Sequence, residues 1–169
     1  MTPITIALTL SLTTGLLGLT PLSFTPPAFT QDPHTQMNQR GAHFMGFDQD
    51  KTAHHFVLYP DGGAIEVVVK DAGDTTNRDA IRAHLLHIAV MFGEGNFEAP
   101  MLVHATDVPG TAEMTKVKDA IAWKDEETDK GGRVNIVTTN ADALKAVHAF
   151  LRYQITDHKT GDSLEITKR

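Results

Sequence analysis

Two stretches of the chain repeat one pattern of apolar and polar positions. His55-Phe56-Val57-Leu58-Tyr59 and Ala64-Ile65-Glu66-Val67-Val68-Val69 are β-rich runs on either side of Pro60-Asp61-Gly62-Gly63, and that turn chemistry predicts a hairpin. Thr76-Asn77-Arg78-Asp79 follows with the spacing of a capping box, in which the Thr hydroxyl and the Asp carboxylate serve the orphan amides of a first helical turn. The helix should run to Phe92, stopped by Gly93 and Gly95, with Ile81, Leu85, Ile88 and Phe92 as its apolar stripe. The order then returns: Ala120-Ile121-Ala122-Trp123, a polar loop ending in Gly131-Gly132, Val134-Asn135-Ile136-Val137, a second cap in Thr139-Asn140-Ala141-Asp142, and a helix carrying Leu144, Val147, Leu151 and Ile155.

Set 63 residues apart, Thr76 and Thr139, Asn77 and Asn140, Asp79 and Asp142, and Ala80 and Ala143 are identical pairs. Either the chain holds two ββα units, over 54–93 and 120–158, or two generic capped helices happen to follow two hairpins. The fold expected is α+β, a two-layer sandwich with a four-stranded, mainly antiparallel sheet and two main helices on one face. Residues 94–119 link the halves, with Pro100, Pro109 and Gly110 as punctuation and one short helix near Ala112–Val117. Residues 31–53 are polar and read as an extended arm.

Residues 1–30 carry no charged side chain, and Ile4 to Leu22 is an apolar, Thr-rich run. That is the core of a signal peptide, with Ala28-Phe29-Thr30 as a cleavage site, although no Lys or Arg precedes the run. The run also reaches the length of about 20 residues that spans a bilayer, so an uncleaved membrane anchor is the alternative. Either way the rest of the chain is expected in the periplasm or outside the cell.

The net charge of -6 argues against nucleic acid, because phosphate binding wants a basic face. The absence of cysteine removes disulfides, thiolate metal sites, iron–sulfur clusters, thiol catalysis and covalently attached c-type haem. What remains for ligand chemistry is nine His and six Met. His84 and Met91 lie on one flank of the first helix's buried stripe, with His87 further out. His54 and His55 are neighbours at the start of a strand and must face opposite ways; if Phe56 and Leu58 point inward, His54 does too. Met101 and His104 follow the first helix closely, and His43 and Met45 form a further nitrogen and sulfur pair. His148 sits inside the second helix's stripe, a place for a ligand or a satisfied core histidine, and His158 lies just past that helix.

Imidazole and thioether donors suit copper, zinc or haem iron. Three functions follow. The first is an exported protein binding a transition metal, copper before zinc, through some of His54, His55, His84 and His104, with Met45, Met91 and Met101 as weaker candidates, for capture, handover or storage. The second is non-covalent haem binding with a His axial ligand and Phe44, Phe47, Phe56 and Phe92 as wall. The third is a metal-free module that dimerises through the uncovered sheet face, using Val57, Tyr59, Val68 and Val137. No base, nucleophile or phosphate loop marks an enzyme.

Met45-Gly46-Phe47-Asp48 with Thr52-Ala53-His54-His55-Phe56, joined by Arg82-Ala83-His84-Leu85, Pro100-Met101-Leu102-Val103-His104 and Asp157-His158, resembles a family of small exported bacterial proteins. The resemblance spans roughly residues 40–160. It implies that His54, His55, His84 and His104 belong to a shared pattern, while His43 does not. Some members carry the name aspartate carbamoyltransferase. That activity needs a two-domain α/β enzyme with a Ser-Thr-Arg-Thr loop, which a chain of 169 residues without that tetrapeptide does not provide.

Overall fold

A computed structural model describes residues 32–168. The apolar N-terminal run and its cleavage site lie outside the described residues. Among the described residues, no helix is long and apolar enough to cross a membrane.

The first hairpin pairs β1 (Thr52–Tyr59) with β2 (Gly62–Val69), and the second pairs β3 (Ala122–Thr128) with β4 (Gly131–Val137). β2 and β4 lie side by side, giving one antiparallel sheet in the order β1-β2-β4-β3. The register sets Phe56 opposite Ile65 and Ile65 opposite Val134. With Leu58, Val67 and Ile136 these residues form the buried face, as the two-residue alternation of a strand requires. Gly62 closes the first turn at φ 148°, where a Cβ would stand 2.1 Å from the carbonyl oxygen of Ile136.

Two long helices cover that face. α2 (Thr75–Gly93) buries Ile81, Leu85, Ile88 and Phe92, each worth about 1.5–3 kcal/mol when fully removed from water. Its N-cap is Asp74, whose carboxylate accepts from the Asn77 amide, two residues earlier than the Thr76 box predicts. In the second unit the cap is likewise shifted, from Thr139 to Asn140, whose side chain accepts from the amides of Asp142 and Ala143. In both cases a short Asp or Asn side chain reaches the free amides directly. The helix of the second unit spans Ala141–Asp157. Each helix lies mainly over the other unit's hairpin, α2 over β3 and β4 and the second-unit helix over β1 and β2. The two ββα units therefore share one core.

The stretch between the units contains α3 (Glu98–His104), α4 (Thr111–Lys116) and a single 3-10 turn (Lys118–Ala120), so the Ala141–Asp157 helix is α5. One short helix was expected here, near Ala112–Val117. Gly110 opens α4 at φ 85°, where a Cβ would come within 2.2 Å of the Ala146 carbonyl oxygen. The expected extended arm is also different: Pro33–Met45 forms a helix, α1. Asp32 caps it by accepting from the amides of His34 and Thr35, Pro33 occupies the start, and Gly46 ends it in the left-handed conformation.

Candidate functional site

α1 is held against the rest of the fold by two backbone acceptors. Arg40 Nε donates to the Val103 carbonyl at 2.7 Å, and His34 Nε2 donates to the His158 carbonyl at 3.3 Å. This places the end of α1 over the space between β1, α2, α3 and α5. A cavity of about 70 Å³ lies there, walled by apolar side chains including Phe56, Ile88, Phe92 and Val103. Four imidazoles line the same cavity: His54 from β1, His84 from α2, His104 from the last turn of α3, and His158 from the C-cap of α5. Met45, at the end of α1, lines it as well.

His54 points to the helix face because it shares the pleat of Phe56. Its ring stacks on His158 at 5.2 Å between centres and lies 5.8 Å from Phe47. His54 Nε2 is buried with no hydrogen-bond partner in the protein. His158 meets His104 edge-on at 5.0 Å, and His84 meets Phe47 edge-on at 5.6 Å. Burial, reinforced by His84 and His55, lowers the His54 imidazole from its ordinary value to about 4. Burial and His87 lower His84 to about 4. Burial, with His54, His104 and His34 adding to it, lowers His158 to about 2. These three rings are neutral at pH 7, the form in which imidazole donates a lone pair.

His104 is anchored on both sides. Its Nδ1 donates to the Asp157 carboxylate at 2.5 Å, and its Nε2 lies 3.0 Å from the Gln154 side-chain oxygen. The Gln154 amide nitrogen is buried without a partner. Turning that amide about its last bond would present its N–H, instead of its oxygen, to His104 Nε2. A carboxylate on Nδ1 fixes the ring's orientation, while Nε2 is engaged by Gln154, so the Gln154 side chain must move aside before that nitrogen can ligate.

The other candidates are elsewhere. His55 faces the opposite side of the sheet, where its Nδ1 donates to Asp162 at 3.1 Å. Met91 and Met101 pack against the core but do not line the cavity. His43 and His87 are exposed. His148 is a core residue: its Nε2 donates to the carbonyls of Tyr59 and Gly62 at 2.9 and 3.0 Å, pinning α5 to the first turn. His158 lay outside the expected ligand set because Asp157-His158 also reads as a helix-end cation answering the dipole. Its sequence signals were its position on the helix face that carries His148 and that pair's place in the family resemblance. Val57, Tyr59, Val68 and Val137 do share the sheet face opposite α2 and α5, where Tyr59 is buried and Arg133 and Glu66 form an ion pair at 2.6 Å.

Among the described residues, no three His, Asp or Glu side chains stand where they could together hold a metal ion. The four rings pack as aromatic walls around a common space. Fold and site together define a two-layer α+β protein with an imidazole-lined apolar cavity. Comparison with known proteins adds no relative: no family model matches the chain, and neither a curated protein nor a solved structure does.

Proposed function

We propose that this is an exported protein that captures a transition-metal ion, copper before zinc, among His54, His84, His104 and His158, for storage or handover. The observation that carries the reading is the convergence of four imidazoles from four separate elements on one cavity, with His54 Nε2 buried there and unpaired. A buried polar atom without a partner costs about 1–3 kcal/mol, a cost that ligation removes. Two imidazoles bound to one tetrahedral ion at about 2.0 Å place their ring centres roughly 5 Å apart. The spacings of 5.2 Å between His54 and His158 and 5.0 Å between His158 and His104 are of that size.

The cavity's size favours an ion over haem. About 70 Å³ has room for on the order of five water molecules, far less than a porphyrin occupies.

The test is to express the full chain in medium containing copper, zinc and iron, then measure its metal content and visible spectrum. One copper or zinc per chain, lost in His54→Ala and His84→Ala with helix content retained, is the expected result. A Soret band would select haem, and a colourless, metal-free protein would favour the metal-free module.

A further inference from the structure

Resting on the metal reading above, we infer that the ion this cavity takes is monovalent and soft, Cu(I), rather than Cu(II) or Zn(II). The first ground is charge. Among the described residues that line the cavity there is no carboxylate. Asp157, bonded to the far side of His104, is 41% exposed and meets the solvent rather than the cavity. Ligating imidazoles are neutral, so an ion here keeps its full charge inside an apolar wall. The cost of moving an ion out of water rises with the square of its charge, so a divalent ion meets about four times the penalty of a monovalent one. Many divalent sites offset it with carboxylate or thiolate ligands, or with a bound hydroxide, and this cavity offers no carboxylate or thiolate.

The second ground is the donor set. Met45 brings a thioether to an apolar cavity whose other soft or borderline donors are imidazoles, and a neutral thioether is a soft donor that suits Cu(I). Its seat is built into α1. A Cβ on Gly41, one turn earlier, would stand 2.7 Å from the Met45 methyl carbon. A glycine within a helix destabilises it by roughly 0.5–1 kcal/mol relative to alanine. At Gly41 the missing side chain leaves the space that the Met45 methyl fills.

The experiment is an anaerobic competition on the full chain, with Cu(I) supplied as its bicinchoninate complex and with Zn(II) and Cu(II) titrated separately against chromophoric chelators. Cu(I) should be held at least about 100-fold more tightly than Zn(II). Met45→Leu, a near-isosteric change that keeps the packing, should weaken Cu(I) about tenfold and leave Zn(II) unchanged. If Zn(II) or Cu(II) is held as tightly as Cu(I), or if Met45→Leu leaves Cu(I) affinity unaltered, the inference is overturned and the metal site stands. If none of the three ions binds, both are overturned.

Discussion

Replacing His54 by phenylalanine should make the protein more stable while removing a ligand. The ring lies between Phe47 and Phe56, and its Nε2 is buried without a partner. Phenylalanine suits those neighbours, fills part of the cavity, and removes a desolvated polar atom worth about 1–3 kcal/mol at neutral pH. Acid should widen the difference. The folded imidazole is lowered from 6.5 to about 4. Between those values the unfolded chain binds a proton that the folded ring refuses, so this ring's contribution falls as pH falls through the window. By pH 5 the loss reaches about 2 kcal/mol. His84 and His158 act with the same sign and remain in the variant, so both proteins weaken in acid, His54→Phe by about 2 kcal/mol less. Urea unfolding near pH 7 and near pH 5 measures both effects, read from the fluorescence of the single Trp123, which packs against Phe92 and Phe97. A variant less stable than the parent at pH 7, with the same gap at pH 5, would refute the reasoning.

Three other changes separate site from scaffold. His148→Phe should cost about 1–3 kcal/mol by stranding the carbonyls of Tyr59 and Gly62, and in thermal unfolding the variant should melt earlier while retaining its metal. Gly110→Ala places a Cβ 2.2 Å from the Ala146 oxygen at φ 85°; a loss of at least about 2 kcal/mol is expected in urea melts. Asp157→Asn keeps the shape beside His104 but withdraws the carboxylate that Nδ1 donates to; competition titration should show metal affinity falling about 10–100-fold.

The core of the fold was legible because its signals are local. Tyr59 and Gly62 face each other across a two-residue turn, and the stripe of Ile81, Leu85, Ile88 and Phe92 is buried as its period predicts. The swapped cover, α2 over the second hairpin and α5 over the first, depends on β2 pairing with β4, a long-range choice that no local pattern encodes. β3 runs on through Lys124-Asp125-Glu126-Glu127, which looked like loop because an edge strand carries charge on its exposed positions. α1 was hidden by its polar composition and Gly41, although Asp32-Pro33 is a cap followed by a helix-starting proline. For the site, strand alternation tied His54 to the face of Phe56 and Leu58, which the structure buries, and helical position put His84 on the flank of the buried stripe. That His104 and His158 would meet them required knowing that α3 folds back against the end of α5. His55 separates from its neighbour by the same alternation, and Asp162 bonds it on the other side of the sheet.

The claim that imidazoles gathered from β1, α2, α3 and α5 hold one ion is tested most directly by X-ray absorption at the copper edge on the full chain loaded with one equivalent of Cu(I). The account predicts a first shell dominated by nitrogen at about 2.0 Å with the outer-shell signature of imidazole rings, diminished in His54→Ala and in His84→Ala. A shell of oxygen alone, or a spectrum that neither substitution alters, would contradict it.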